Sequence, residues 1–128
     1  MSARELPFGP TVLPDVAWRE LLLQASAPYR QAGRFAWHFA RGKLSRDPVF
    51  RALLERGEFA GATRVLDIGC GQGLLASLLH AWQRGATSRG LAYTGIDLMS
   101  RDIERAETAL RALDPRPRFI CADMCRAE

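Results

Sequence analysis

Hydrophobic positions in this chain keep one period up to about residue 60 and a different one after it. From Asp15 onward, Trp18, Leu21, Leu22 and Ala25 recur at helical spacing, with Asp15 as the expected cap and Pro28 as the interruption. A second helix is predicted from Tyr29 to Leu44. Phe35, Phe39 and Ala32 give it an apolar side, Arg30, Arg34 and Arg41 lie around the other, and Gly33 weakens its continuity. Asp47-Pro48 is a helix start, with an acceptor side chain before a proline in the first turn; Val49, Phe50, Leu53 and Leu54 then form a stripe that Gly57 stops. Ahead of all this, Pro7, Gly9, Pro10 and Pro14 mark Met1 to Pro14 as an extended arm. Residues 1–60 thus read as an arm and a helical preface.

From Thr63 short apolar runs alternate with amphipathic stretches. Val65 to Ile68 reads as a buried parallel strand, within a strand Arg64 to Ile68. A helix Leu74 to Arg84 follows, with Leu75, Leu78, Leu79 and Trp82 inward and Gly85 as its stop. The link Ala86 to Gly90 leads to a strand Ala92 to Asp97 and a helix Arg101 to Leu113 that buries Ile103, Ala106, Leu110 and Leu113. Asp114-Pro115-Arg116-Pro117 breaks that helix before a third strand, Arg118 to Ala122. The pattern β-α-β-α-β predicts an α/β fold whose right-handed crossovers set a parallel strand order 3-2-1, with binding loops at the shared carboxyl edge. Only Met124 to Glu128 follow the third strand, which leaves the first strand as an apolar edge with unpaired backbone groups. Residues 61–128 are therefore expected to be a truncated half-domain, its sheet completed by a missing C-terminal half or by an oligomeric partner.

Composition narrows the class. With 128 residues, 48% hydrophobic and 25% charged, the chain suits one soluble globular domain. No apolar run approaches the roughly 20 residues of a membrane span, and Met1-Ser2-Ala3-Arg4-Glu5 lacks the apolar core of a secretory signal. A cytosolic protein is expected. Cys70, Cys121 and Cys125 are an odd set without metal-ligand spacing, far in sequence from His38 and His80, so reduced thiols and no metal are expected. The net charge of +4 comes from arginines interspersed with Glu and Asp, without a dense basic block, which argues against nucleic acid as a partner.

The candidate chemistry centres on Asp67-Ile68-Gly69-Cys70-Gly71-Gln72-Gly73. Glycine turns the chain sharply from the strand into a helix whose first amides are expected to be uncovered. A side chain at Gly69 or Gly71 would block a ligand lying on the backbone, while Gly73 lets the helix pack close. A glycine turn alone also fits nicotinamide-binding folds. Asp67, at the carboxyl end of the strand, faces a ligand with positive charge and would repel a pyrophosphate. This run resembles motif I of class I S-adenosylmethionine-dependent methyltransferases, whose ligand carries an ammonium and a sulfonium. Asp97 ends the second strand, where a carboxylate can accept both hydroxyls of a ribose; it matches the family's motif II. Asp123, in Cys121-Ala122-Asp123-Met124, resembles the next motif. That resemblance implies that its carboxylate accepts from the adenine amine while Met124 meets the ring, with Leu98 and Met99 packing the other ring face. Cys70, a small residue in the tight turn, is expected with Asp67, Gly69, Gly71 and Gly73 to line the cofactor site. The resemblance covers about Arg64 to Met124 and implies a Rossmann-like cofactor domain with S-adenosylmethionine as cofactor.

The preface is expected to supply a lid, with Tyr29, Arg30, His38, Arg41 and Lys43 on or near one helix. His38 and Tyr29 are the candidate catalytic residues, although a surface or packing role is the simpler account of His38. Phe39-Ala40-Arg41-Gly42-Lys43-Leu44, followed by Asp47-Pro48-Val49-Phe50, resembles the preface of small-molecule methyltransferases from bacterial pigment and polyketide genes, including aryl-polyene pathways. The resemblance implies methyl transfer to a small-molecule acceptor, with this chain supplying the cofactor-binding part. An RNA methyltransferase and a non-catalytic cofactor- or protein-binding remnant are the alternative readings.

Overall fold

Tertiary contacts, more than propensity, settle where the helices of the preface begin and end. The computed structural model describes residues 9–83 and 91–125. The expectations for Met1 to Phe8, for a helix end at Arg84, for the Gly85 stop and for the link Ala86 to Gly90 fall outside those residues. Helix α1 (Asp15–Ser26) buries Trp18, Leu21 and Ala25 as its spacing predicts, but its N-cap is Pro14, and Asp15 makes no capping bond. Asp15 instead accepts from Arg51 at 3.0 Å, and Arg51 also donates to the Leu13 carbonyl at 2.5 Å and to Glu55 at 2.7 Å. One guanidinium thus fastens α3 (Pro48–Glu55) to the start of α1. The Asp47 side chain caps α3 by accepting from the Val49 N–H at 3.0 Å.

The predicted second helix is two elements. A 3-10 helix, Ala27–Ala32, carries Tyr29, and α2 (Arg34–Arg46) begins after Gly33, whose φ of 103° breaks the run. The buried face of α2 also differs from the expected one. Ala36, Ala40 and Leu44 point inward, whereas Phe35 and Phe39 are 63% and 42% exposed. Small alanines let α2 approach its neighbours closely, which a phenylalanine face would prevent. The two phenylalanine rings stack on each other at 6.2 Å, and Arg105 covers Phe35 at 4.6 Å.

The sheet holds β1 (Arg64–Ile68), β2 (Ala92–Asp97) and β3 (Arg118–Cys121), all parallel, with β2 in the middle. This is the 3-2-1 order. α4 (Leu74–Trp82) follows β1 and α5 (Ser100–Leu110) follows β2. The register places Val65 opposite Tyr93, Asp67 opposite Gly95, and Asp97 opposite Cys121, all on one face with Phe119. That face carries the core. Buried residues of the preface (Leu13, Trp18, Leu21, Tyr29, Leu44, Leu54) join Leu74, Leu78, Leu79, Tyr93 and Leu110 in one cluster. The Ser77 hydroxyl donates to the Ala25 carbonyl at 2.5 Å, tying α4 to α1.

The opposite face departs from the expectation of a buried first strand. Leu66 and Ile68 are each 60% exposed, and Ile120 is also exposed. Alternation is why: every second residue of β1 turns away from the core, to a face where Leu66 and Ile68 stay exposed beside the buried Ile96.

Candidate functional site

Asp67 reaches the carboxyl edge because β1 alternates, and it arrives beside a partner that only the register reveals. Tyr93 donates its phenolic hydrogen to Asp67 Oδ2 at 2.5 Å. Burial raises the Asp67 carboxyl above its ordinary range, the nearby Asp97 charge adds to this, and the Tyr93 hydrogen bond works against it. Burial and the Asp67 carboxylate together hold the Tyr93 phenol far above its usual range. Tyr93 therefore stays a hydrogen-bond donor at any working pH.

Beyond β1 the chain turns through Gly69, Gly71 and Gly73, with φ of 77°, 55° and 78°. These left-handed conformations strain any residue with a side chain. A Cβ at Gly69 or Gly71 would meet no atom within 4 Å, so both positions open onto free space at the carboxyl edge. The start of α4 has no side-chain cap, in line with the expectation for its first amides, but the amides of the turn ahead of it are taken. Gly69 and Cys70 both donate to the Ile96 carbonyl, at 2.7 and 3.1 Å, and Gly73 donates to the Cys70 carbonyl at 3.0 Å. Gly71 donates to Asp97 Oδ2 at 2.8 Å. The turn itself offers a ligand room, and the uncapped first turn of α4 follows directly after it.

Asp97 latches this turn to β2. Its Oδ2 takes the Gly71 amide and its Oδ1 takes the Met99 amide at 2.8 Å, leaving each oxygen a further lone pair. Leu98 and Met99, directly after it, are exposed at the same edge. Asp123 lies two residues past the end of β3, where its Oδ1 accepts from the Cys125 amide at 2.9 Å. Met124 beside it is exposed.

The inner side of the turn is packed. A Cβ on Gly73 would lie 2.7 Å from the Phe119 ring and 3.3 Å from Ala106, so this glycine brings α4 against β3 and α5 more than against β1. Cys70 fills the space over Gly95, where a Cβ would stand 2.8 Å from its sulfur. Burial and the carboxylates of Asp67 and Asp97 push its thiol up to about 12, so it is held as a neutral packing group.

Tyr29 and His38, the two catalytic candidates, lie in different surroundings. Tyr29 is fully buried, and its hydroxyl donates to the Gln72 carbonyl at 2.8 Å, from below the glycine turn. Burial raises its phenol well above the ordinary value. His38 is exposed on α2, beside Trp37, in a groove between α1 and α2. Sequence reasoning missed Tyr93 and Gln72. Tyr93 could have been found by pairing β1 with β2 in parallel register, which puts it on the face of Asp67. Gln72 is 2% exposed, and its side-chain oxygen has no hydrogen-bond partner among the described residues. No group of three or more His, Cys, Asp or Glu among the described residues could hold a metal ion, and no helix among them is long and apolar enough to cross a membrane.

Among solved structures, the chain is similar to the plantazolicin methyltransferase BpumL in complex with a monoazolic desmethylPZN analog and SAH. The identity is 18% and the TM-score 0.41, over 87% of this chain and 44% of that one. The same enzyme with a pentazolic desmethylPZN analog and SAH gives 17% identity and a TM-score of 0.42, over 90% of this chain and 45% of that one. The chain thus spans less than half of that enzyme's length. Among curated proteins none matches it. Residues 65–128, half of the chain, match the family described as "Methyltransferase domain". On that match, which begins in β1 and contains the glycine turn and all three edge carboxylates, the chain belongs to the class I S-adenosylmethionine-dependent methyltransferases.

Proposed function

We propose that the carboxyl edge of the sheet binds S-adenosylmethionine and that the chain supplies the cofactor half of methyl transfer to a small-molecule acceptor. The observation that carries this is the placement of Asp67, Asp97 and Asp123 at or just past the ends of three adjacent strands, around glycines whose missing side chains leave open space. Packing alone gives no reason for an acid at the end of every strand, whereas a ligand with an ammonium, a ribose and an adenine amine does. The residues present fit that ligand. Apolar Leu98, Met99 and Met124 stand exposed at the same edge, and the orphaned Gln72 oxygen lies buried within the turn.

Bound there, the cofactor supplies a methyl group on a sulfonium. Asp67 offers the negative charge for the cationic end, oriented by Tyr93. Asp97 keeps its two amide bonds and uses its remaining lone pairs for the ribose hydroxyls. Asp123 and Met124 meet the adenine, with Leu98 on its other face. Gly69 and Gly71 admit the ligand to the backbone. In-line displacement at a methyl asks the protein chiefly to align the partners and exclude water. Tyr29 serves as a positioning residue: it spends its proton on Gln72 and holds the turn from the preface. His38 belongs to the outer surface of that preface.

The exposed Leu66, Ile68 and Ile120 mark a sheet face that takes further structure, from additional strands and helices of the whole protein or from a second copy. Free cysteines, two of them exposed, suit the cytosol. Calorimetric titration of the purified chain with S-adenosylmethionine, its demethylated product and NAD tests the assignment. Micromolar binding of the two adenosyl-sulfur ligands without NAD is expected; binding of NAD alone overturns it.

A further inference from the structure

Away from the carboxyl edge, the outer sides of α1 and α2 enclose a groove of about 600 Å³ that shares no residue with the glycine turn. Arg19, Arg41 and Arg46 converge on it with His38, over a floor that includes Leu22 and Leu23, and no carboxylate among the described residues lines it. We propose that this groove binds an amphiphilic anion, a carboxylate or phosphate carried on an apolar body.

The charge of the groove is uncompensated. Lys43, Arg51 and Arg105 each pair with a carboxylate, but Arg19, Arg41 and Arg46 have no ion pair among the described residues. Like charges brought together without an acid raise the local potential and favour an anion. Two features order the cations. The Arg41 guanidinium lies 4.9 Å from the centre of the Trp37 ring, which also holds Arg30 at 4.7 Å. Arg46 folds back over Gly42, with its Nε donating to the Gly42 carbonyl at 3.3 Å, and a Cβ at position 42 would collide with that guanidinium. A glycine in mid-helix is unfavourable relative to alanine. Here its missing side chain opens the wall of the groove and lets Arg46 lie across it. Guanidinium groups held this way lose little freedom when they take up an anion.

The floor selects the rest of the ligand. Leu23 is 60% exposed, and Val16, two turns earlier on α1, is also exposed, so apolar surface continues along the helix beside the cations. The volume falls in the range of about 300–1,000 Å³ typical of small-molecule sites. Among the described residues no aromatic ring other than His38 lines the groove to stack a base, and the leucines would stay wet against a phosphodiester backbone, so an amphiphile fits better than RNA.

The test is calorimetric titration of the purified chain with octyl phosphate and octanoate, against inorganic phosphate, octyltrimethylammonium and a short single-stranded RNA. The two octyl anions should bind at least tenfold tighter than inorganic phosphate, and the octyl cation should not bind. Arg19→Glu with Arg46→Glu should weaken octyl phosphate at least tenfold while leaving the melting temperature and S-adenosylmethionine affinity unchanged. If that pair fails to fold, Arg19→Gln with Arg46→Gln should weaken it at least threefold. Octyl anions that bind no tighter than inorganic phosphate overturn the proposal, as does affinity indifferent to both pairs of substitutions. RNA that binds more tightly than octyl phosphate and displaces it assigns the groove to nucleic acid and overturns it equally.

Discussion

The two sides of the glycine turn use the same residue for opposite ends. On the outer side, Gly69 and Gly71 face empty space, so a side chain there would touch nothing in the protein. On the inner side, Gly73 is pressed between Phe119 and Ala106, so a side chain there has nowhere to go. All three share a left-handed φ. Conformation alone therefore cannot tell a glycine kept for a ligand from one kept for packing; the neighbouring atoms can. The two classes should separate under mutation, one losing binding and the other losing the fold.

The largest effect belongs to the packed side. Gly73→Ala should cost about 2–5 kcal/mol, from a left-handed penalty of roughly 1–2 and an overpacking term of roughly 1–3 against Phe119. Urea unfolding measures it. A loss no greater than that of Gly69→Ala would erase the distinction between the two sides.

Next comes the latch that holds the open side. Asp97→Ala removes the acceptor of the Gly71 amide together with the proposed ribose contact, and should weaken S-adenosylmethionine by about 1.5–3 kcal/mol, the scale of hydrogen bonds to a charged group. Unchanged affinity in a folded variant would remove Asp97 from the site.

Acidity probes the same edge with a definite sign. The cationic end of the ligand needs ionised Asp67, whose carboxyl is raised by burial. Affinity should therefore fall as pH descends through that raised value, starting at a higher pH than for an ordinary carboxylate. Fold stability runs the other way. A carboxyl raised in the folded state binds its proton more tightly there than when unfolded, so Asp67 favours the fold as pH falls and its contribution fades as pH rises through the folded value. Asp67→Asn should flatten both profiles. A pH-independent affinity in the unaltered chain would place the ammonium elsewhere.

The smallest effect comes from beneath the turn. Tyr29→Phe leaves the Gln72 carbonyl without its donor and should cost about 1–3 kcal/mol in a folded chain. Because the hydroxyl touches the turn, S-adenosylmethionine affinity should fall with it, whereas a merely structural tyrosine would lower stability alone.

What sequence could convey follows the distance over which each feature is decided. The glycine turn, the acids at the strand ends, the 3-2-1 order and the Asp47 cap are local patterns or follow from handedness, and they are present as expected. The inward face of α2 is decided by neighbours. Phe35 and Phe39 are the more hydrophobic residues, yet close packing selects Ala36 and Ala40. The Tyr93–Asp67 bond needs the register of two strands, and the Tyr29–Gln72 bond joins residues 43 positions apart. The start of α4 has no side-chain cap, as a helix start implies, whereas the amides of the turn before it need the sheet to be placed: the Ile96 carbonyl on the neighbouring strand takes two of them.

The most direct test of the account is the affinity of the demethylated cofactor for Gly71→Ala beside the unaltered chain, read by calorimetry with circular dichroism to confirm folding. The methyl group of alanine would touch no protein atom and would stand where the ligand is proposed to lie. The account predicts a folded variant with affinity reduced at least tenfold. A folded variant that binds as tightly as the unaltered chain would contradict it, because the open side of the turn would then be empty for no ligand's sake.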